Sequence, residues 1–411
     1  MPLRLGLAEV WTGGPVSRRL VHLDGIRGAA AFSVFVCHFI QVFLPHIYYK
    51  SRDEGHGLWE DEFATSPFNI VVNGNFAVCL FFVLSGYVLS SRFLADGDIG
   101  YLRRLAAKRY LRLALPVVGA VLLAWVILAA GGYSYGAARV FTLSGMSDTY
   151  AAFTPFWAAL EQGAAGAFFR GEWSLDPVLW TMQTELYGSF LVFGLLALFG
   201  HGRRRWLVYA IACAVFYNSY YLAFVLGAVL ADLHLWCGER DAPYPATLLL
   251  ITLGVYLGSY PYYGAEGGLW SVLPAVGTAQ KVVLYHVLGA FALIFASCWF
   301  PEAREVLARP VFRFLGRISY SLYLIHFPLV CSLATGVWLA LHPHFGYAVA
   351  TGLTLLVTGP LIVAAAALFT ALVDEPAIRL ADAFAEVLER RPRADSAPPV
   401  PPPPVLTPPG G

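Results

Sequence analysis

Charged residues are scarce in this chain of 411 residues, at 13% of positions against about 25% in ordinary soluble domains. The formal net charge is +1, so the sequence lacks the basic excess that predicts nucleic-acid binding. Hydrophobic residues make up 58% of the chain and aromatic residues 15%, which excludes a disordered protein. This composition is typical of an integral membrane protein.

Cysteine is also scarce and shows no metal or disulfide spacing. All six cysteines lie in or beside apolar segments, and none forms a Cys-x-x-Cys pair. We therefore expect small core side chains, no disulfide framework and no bound metal. The stretch before Arg18 lacks the apolar core of a removable signal peptide. No internal repeat is visible, which weakens a comparison with transporters built from inverted repeats.

Apolar segments long enough to cross a membrane, which takes roughly 20 residues, recur along the chain. Ten such segments lie at about 28–45, 75–91, 113–131, 177–199, 206–218, 220–236, 246–260, 282–300, 318–341 and 347–372. The fifth and sixth are short and meet near Asn218, so we interpret them as a hairpin. The predicted fold class is an all-α integral membrane protein with about ten transmembrane helices, although nine or eleven remain open.

Lys and Arg residues are concentrated in alternate connecting segments. With ten spans, one set of connections and tails holds 22 of the 27 basic residues. Because basic residues favour the cytoplasmic side, we predict that both termini are cytoplasmic. The predicted domains are a cytosolic N-terminal tail at 1–19, a membrane domain at 20–380 and a cytosolic tail at 381–411. The second tail is Pro-rich, and we expect it to be disordered from about residue 392.

The first span opens with Leu23-Asp24-Gly25-Ile26-Arg27-Gly28, and His38 follows eleven residues after Arg27. Eleven residues at about 100° each bring Arg27 and His38 onto one helix face, about 16 Å apart along the axis. Arg27 then lies at the cytosolic rim and His38 near the middle of the membrane. His38 either bonds a neighbouring helix or acts as a base on a hydroxyl brought to it.

Six basic residues follow the second span in what we interpret as an inner loop: Arg92, Arg103, Arg104, Lys108, Arg109 and Arg112. They are either topology signals or ligands for an anion. Arg109 and Arg112 are three residues apart and share a helix face, where two guanidinium groups could clamp a phosphorylated ligand with help from Arg104. Within the second span, Ser85-Gly86 is typical of close helix packing.

Two further spans carry polar groups whose burial is costly. Glu185 is predicted about a third of the way into the membrane from the outer side, where it must be neutral, paired or beside water. Ser319, Tyr323 and His326 occur at i, i+4 and i+7 and form a polar stripe on one face of the ninth span. At the end of the tenth span, Asp374-Glu375 is expected to pair with the basic inner surface.

Taken together, these segments resemble the acyltransferase 3 family of integral membrane O-acyltransferases. The matching features are Leu23 to Gly28 with the Arg-x10-His spacing, Phe-Phe-x-x-Ser-Gly-Tyr at 81–87, Arg109-x-x-Arg112 before Pro116, Trp180 with Glu185, the segment 319–328 and Glu375-x-x-x-Arg379. The resemblance covers residues 20–380. It implies ten transmembrane helices, an acyl-CoA donor bound from the cytosol and a hydroxyl acceptor, usually on a carbohydrate. It also implies that His38 is the essential imidazole.

The resemblance and the polar residues together give a set of expected roles. The expected catalytic residues are His38, Arg27, Glu185 and His326. The residues expected at the CoA phosphates are Arg104, Arg109 and Arg112. The residues expected to bind substrate are Ser85, Trp180, Ser319 and Tyr323.

The expected donor is acyl-CoA, with acetyl-CoA as the first choice, and the expected location is a bacterial inner membrane in contact with lipid. The expected acceptor is a carbohydrate or lipid-linked sugar at the outer loops of about 46–74 and 132–176, which carry Trp59, Trp157 and Trp173. Dimerisation is open. The alternatives are a proton-coupled transporter with a relay of His38 and Glu185, and a catalytically silent membrane scaffold.

Overall fold

A computed structural model describes residues 21–49, 56–57, 59–202, 204–238, 243–261, 268–274 and 278–389. Across these ranges the chain is helical and contains no β-strand, so the all-α prediction is confirmed. The predicted tail at 1–19 and the predicted disorder from about residue 392 lie outside the described residues.

Ten apolar helices correspond to the ten predicted segments, and an eleventh helix follows them. They are α1 (Val21–Phe43), α2 (Gly74–Asp96), α3 (Ile99–Ala129), α4 (Trp180–Phe199), α5 (Arg205–Val215), α6 (Tyr221–Cys237), α7 (Tyr244–Gly258), α8 (Thr278–Trp299), α9 (Pro310–Leu329), α10 (Tyr347–Phe369) and α11 (Glu375–Glu389). Seven spans in the described ranges are long and apolar enough to cross a membrane, and α5, α6 and α7 are shorter apolar helices. The protein is thus multi-pass, while ten crossings and cytoplasmic termini stay predictions.

Shorter helical turns fill the connections between these helices. They are Pro45–Tyr49, Trp59–Ala64, the 3-10 turns Pro67–Val72, Pro177–Leu179 and Gly268–Trp270, the helices Tyr135–Thr142, Phe156–Glu161, Pro301–Leu307 and Thr335–Leu341, and the π-helical turns Gln162–Arg170, Val330–Ala334 and Thr370–Asp374. The two π-helical turns at 330–334 and 370–374 continue α9 and α10, so α10 leads directly into α11.

The predicted inner loop after the second span is wrong in its length. Gly97, at a φ of 69°, ends α2, and the Asp98 side chain accepts a hydrogen bond of 2.8 Å from the Gly100 backbone N–H. This cap starts α3 at Ile99, so residues 103–112 are helical. The sequence gives no sign of this helix start because the basic residues at 103–112 interrupt the apolar pattern, whereas a helix tolerates charges that have partners.

Small residues bring together the helices that carry the predicted site. α1 packs along α9, and α2 packs along α6. A Cβ atom on Gly28 would lie 2.4 Å from the backbone nitrogen of Gly316, and one on Gly86 would lie 2.2 Å from the carbonyl oxygen of Phe224. These contacts require glycine, so the close packing predicted at Ser85-Gly86 is confirmed.

Candidate active site

A cavity of about 380 Å³ lies between α1, α2, α3, α4, α9 and α11. Its lining includes five basic residues, namely Arg27, Arg92, Lys108, Arg109 and Arg112. Only two acidic residues, Glu185 and Asp382, line it as well. Aromatic and aliphatic side chains complete the wall. The lining therefore has an excess of positive charge and suits an elongated, partly apolar anion.

Glu185 and Arg109 form an ion pair inside the bundle. The Glu185 side chain is 12% exposed and that of Arg109 is 15% exposed. A Glu185 carboxylate oxygen also accepts a hydrogen bond of 2.7 Å from the Ser85 hydroxyl, and Arg109 donates one of 2.8 Å to the Ser189 hydroxyl. Because the two charged groups are in contact, they lie at the same depth in the bundle. The predictions that Glu185 lies near the outer side and that Arg109 lies in an inner loop therefore cannot both be correct. Arg109 lies about ten residues inside α3, at the level of Glu185.

The other basic residues differ in how far carboxylates neutralise them. Lys108 Nζ lies 2.6 Å from Asp382, and an Arg112 nitrogen lies 2.6 Å from Asp374. Arg104 pairs with Glu389 at 2.7 Å and does not line the cavity, so the structure separates it from the predicted clamp.

Arg27 and Arg92 are the lining cations with the weakest ion pairs. Arg27 lies 3.6 Å from the exposed Asp24 carboxylate. Arg92 lies 3.5 Å from Asp96, and its guanidinium carbon lies 4.7 Å from the centre of the Tyr101 ring. These two arginines are the ones most available to an anionic ligand. The pairing predicted for Asp374-Glu375 is confirmed, since Glu375 pairs with Arg317.

Two imidazole rings from α1 and α9 meet next to this cavity. The Nδ1 atom of His38 lies 2.9 Å from the Nε2 atom of His326 and 3.1 Å from the carbonyl oxygen of Val34. The Nδ1 atom of His326 lies 2.8 Å from the carbonyl oxygen of Leu322. Carbonyl oxygens only accept hydrogen bonds, so each Nδ1 atom carries its proton.

This tautomer assigns different roles to the remaining ring nitrogens. The Nε2 atom of His326 accepts the hydrogen bond from His38. The Nε2 atom of His38 carries a lone pair and has no hydrogen-bond partner among the described residues. His38 is half-buried, whereas His326 is fully buried. The pair is therefore arranged with His38 as the base and His326 as the residue that orients it.

Tyr323 lies between the cavity and the imidazole pair. Its hydroxyl donates to the carbonyl oxygen of Val178 at 2.9 Å and lies 2.8 Å from the Thr181 hydroxyl. Its ring lines the cavity, and the ring centre lies 6.1 Å from that of His326. Neither histidine lines the cavity itself. A ligand that reaches Tyr323 thus comes close to the imidazole pair.

The predicted substrate-binding residues divide into two groups. Ser85 and Tyr323 line the cavity. Ser319 is buried and donates a hydrogen bond of 2.8 Å to the carbonyl oxygen of Gly316 in its own helix. Trp180 packs against Tyr220, with ring centres 5.2 Å apart. The structure does not bring Ser319 or Trp180 to the cavity.

Arg112 and Lys108 are among the basic residues that the sequence singles out, but Tyr101 and Leu105, which also line the cavity, are not. Tyr101, Leu105, Lys108 and Arg112 line it at intervals of four, three and four residues, which is the spacing of a helix face. That signal was present in the sequence but requires the segment to be interpreted as helix. Among the described residues, no group of three His, Cys, Asp or Glu side chains could hold a metal ion.

The fold and the cavity define a multi-pass membrane protein with an internal, positively charged site. A sequence model of the acyltransferase 3 family, described as an acyltransferase domain, matches residues 20–370, and the chain belongs to this family. Acyltransferase R4 of Phoma sp. is 24% identical, with 87% of this chain and 93% of that protein covered. Acyltransferase clz18 of Cochliobolus lunatus is also 24% identical, with 88% and 95% covered. No solved structure matches the chain.

Proposed function

We propose that this membrane acyltransferase moves an acyl group from acyl-CoA to a hydroxyl group of an acceptor, with acetyl-CoA as the first donor to test. The observation that carries the proposal is a cationic cavity next to an imidazole pair in which one ring nitrogen has a free lone pair. Family membership supports acyl transfer, and these two features support acyl-CoA as the donor and His38 as the base.

The cavity suits the chemistry of CoA. Phosphate groups bind best to guanidinium groups that are not already neutralised. Arg27 and Arg92 meet that description, while Lys108, Arg109 and Arg112 add positive charge along the wall. The apolar wall suits the pantetheine arm. The thioester would then lie at Tyr323, next to the histidines.

The proposed reaction is a direct transfer. The acceptor oxygen attacks the thioester carbonyl carbon while His38 Nε2 takes the hydroxyl proton. A carbon–oxygen bond forms and the carbon–sulfur bond breaks. CoA leaves as a thiolate and takes the proton from the His38 imidazolium, giving an ester and free CoA. His326 holds His38 in the required tautomer throughout. A relay through acyl-His38 would give the same products.

For the acceptor we propose a carbohydrate or lipid-linked sugar reached from the outer loops. Trp59, Trp157 and Trp173 are 53%, 74% and 45% exposed. Exposed indole rings stack on sugar faces, and they also anchor proteins at a membrane interface. Their exposure supports this acceptor class without selecting a particular sugar.

The proposal is tested with purified full-length protein in detergent and radiolabelled acetyl-CoA. We expect the wild type to bind and slowly hydrolyse acetyl-CoA. His38→Ala should bind it with unchanged affinity but lose turnover by about 10²–10⁴-fold. Arg92→Ala should weaken binding, and His344→Ala, at an exposed loop histidine, should change neither quantity.

Retained turnover in His38→Ala would remove His38 from the chemistry, and absence of acyl-CoA binding would refute the proposal. Substrate flux without CoA would favour a transporter. The contacts in the structure do not favour that alternative, because Glu185 bonds Arg109 and Ser85 while His38 bonds His326 and Val34.

A further inference from the structure

An aromatic ring and a guanidinium group pack together at one end of the cavity. Tyr101 and Arg92 both line it, and the Arg92 guanidinium carbon lies 4.7 Å from the centre of the Tyr101 ring. The Tyr101 side chain is partly buried and packs against the core of the bundle. Aromatic rings and guanidinium groups both stack on nucleobases. Neither proton transfer at His38 nor the neutralisation of phosphates requires this tyrosine.

This pair lies about 16 Å from the end of the cavity that is next to the histidines. Phe81 of α2 packs against Tyr323, with ring centres 5.8 Å apart. Arg92 follows Phe81 by eleven residues in the same helix, which is about 16 Å along the axis. The side chains of α2 thus line the cavity from the histidine end to the end at Arg92.

Helix α3 places Tyr101 at the same end independently. One carboxylate oxygen of Glu185 contacts both Ser85 of α2 and Arg109 of α3, so these two residues lie at one level. Arg92 follows Ser85 by seven residues and Tyr101 precedes Arg109 by eight, which is about 11 Å and about 12 Å along the two helices. Because α2 and α3 are antiparallel, both side chains lie at the same distance from Glu185 in the same direction.

The length of the cavity matches the arm of the donor in the proposed function. The chain from the thioester sulfur of acyl-CoA to its first phosphorus atom has about thirteen bonds, and it spans about 15 Å at the roughly 3.5 Å per three bonds of an extended chain. With the thioester at Tyr323, the diphosphate lies beside Arg92. The adenosine follows the diphosphate, and the aromatic ring that lines the cavity next to Arg92 is Tyr101.

A second tyrosine and arginine pair in the cavity does not fit the same role. The Arg112 guanidinium carbon lies 5.3 Å from the centre of the Tyr320 ring. Tyr320 precedes Tyr323 by three residues, about 5 Å along α9, which is too close to the thioester for the adenosine. Asp374 also neutralises Arg112. Distance from the imidazole pair therefore selects Tyr101.

We propose that Tyr101, together with Arg92, stacks on the adenine ring of the donor. The role rests on the proposed acyl-CoA chemistry, and it adds a specificity-determining residue that neither the sequence patterns nor the family resemblance singles out. It also narrows the donor class. The protein selects free acyl-CoA over an acyl group on the phosphopantetheine arm of a carrier protein, because that arm carries no adenosine.

Two donors that differ in the adenosine part test this role. Full-length protein in detergent is titrated with acetyl-CoA and with S-acetyl-4′-phosphopantetheine, and the two Kd values are compared for each variant. We expect the wild type to bind acetyl-CoA more tightly. Tyr101→Leu should raise the Kd for acetyl-CoA by about 5- to 100-fold, the effect of removing one aromatic side chain on which a base stacks. It should leave the Kd for the short donor nearly unchanged, because both donors keep the pantetheine arm and its first phosphate.

Three further variants separate stacking from other effects. Tyr101→Phe keeps the ring and loses only the hydroxyl, so both Kd values should stay close to those of the wild type. Arg92→Ala should weaken both donors, since each retains a phosphate. Tyr217→Leu is the control: this tyrosine is 50% exposed and does not line the cavity, so neither Kd should change.

Equal loss of affinity for the two donors in Tyr101→Leu would overturn the role, because the ring would then only shape the cavity. A loss in Tyr101→Phe as large as that in Tyr101→Leu would also overturn it, since the hydroxyl would be the binding group. Equal affinity of the wild type for the two donors would overturn it without any variant having to fold. Failure of the wild type to bind either donor would instead refute the proposed acyl-CoA chemistry.

Discussion

The Nδ1 atom of His38 lies 2.9 Å from the Nε2 atom of His326, although the two residues are 288 positions apart in the sequence. The contact exists because α1 and α9 pack at Gly28 and Gly316, about three helical turns from the histidines. It makes His326 the acceptor that keeps the proton of His38 on Nδ1. The free Nε2 atom of His38 depends on that arrangement.

Replacement of His326 should lower turnover and leave donor binding intact. In His326→Leu the imidazole of His38 loses its orienting acceptor, and we expect kcat to fall by about 10- to 100-fold, by analogy with the loss of residues that orient metal-bound histidines. His326→Gln should retain more activity because its amide oxygen can accept the same hydrogen bond. Steady-state kinetics with acetyl-CoA measure kcat and KM separately for each variant. Equal loss in the two variants would argue against the orienting role.

Periodicity predicted the faces in this site but not the partners. The spacing of Arg27 and His38 and the stripe of Ser319, Tyr323 and His326 identify residues that share a helix side. Which sides meet depends on helix packing, and nothing local to α1 specifies α9 as its neighbour. The family resemblance supplied the roles, whereas the contact between His38 and His326 required the three-dimensional arrangement.

Depth in the membrane is less predictable from the sequence than the face of a helix. The sequence predicts Glu185 toward the outer side and Arg109 in an inner loop, because nothing local to either residue specifies the other as its partner. Their ion pair offsets the cost of burying the two charges, so both lie inside the bundle. The unpartnered Oδ2 atom of Asp176 could not be predicted either, since its lack of a partner is a property of the folded state.

The ion pair of Arg109 and Glu185 should show strong coupling in a double-mutant cycle. Arg109→Ala leaves a largely buried carboxylate without its cation, and we expect a loss of about 3–5 kcal/mol in the free energy of unfolding. The double variant Arg109→Ala with Glu185→Ala should be more stable than the sum of the two single effects predicts. Denaturant unfolding in detergent measures all four proteins. Additive effects would show that the pair is not formed in the membrane domain.

Neutralising a carboxylate in the cavity should strengthen donor binding. Asp382 lines the cavity and holds Lys108 at 2.6 Å, so Asp382→Asn frees a positive charge for the CoA phosphates. We expect its Kd for acetyl-CoA to fall by a few-fold, and that of Lys108→Ala to rise, with both effects smaller at high salt. The control is Glu375→Gln, which breaks a pair with Arg317 outside the cavity and should leave Kd unchanged. Equal Kd values in all three variants would show that α11 does not contribute to donor binding.

A methyl group on Gly28 should disturb the contact that aligns the two histidines. Its Cβ would lie 2.4 Å from the Gly316 nitrogen, and backbone atoms cannot move aside as a side chain can. We expect Gly28→Ala to cost about 1–3 kcal/mol of stability and to reduce kcat. Gly352 in α10 has no atom within 4 Å of such a Cβ, so Gly352→Ala should stabilise the protein by about 0.5–1 kcal/mol. Similar thermal midpoints for the two variants would contradict the close packing of α1 and α9.

The buried carboxyl of Asp176 should make stability depend on pH in a direction opposite to that of a salt-bridged aspartate. Its pKa is raised in the folded state by burial, whereas in the unfolded chain it is about 3.9. As pH rises above about 4, the unfolded chain releases this proton and the folded protein retains it, so the free energy of unfolding falls by about 1.4 kcal/mol per pH unit up to the folded pKa.

Asp176→Asn has no proton to lose and keeps the Oδ1 cap on Val178. The difference in thermal midpoint between this variant and the wild type should therefore be smallest near pH 4 and grow in favour of the variant as pH rises. The effects of all other titratable groups on stability cancel in this comparison, because both proteins contain the same groups. A difference that stays constant or shrinks over that range would show that Asp176 is ionised in the folded protein.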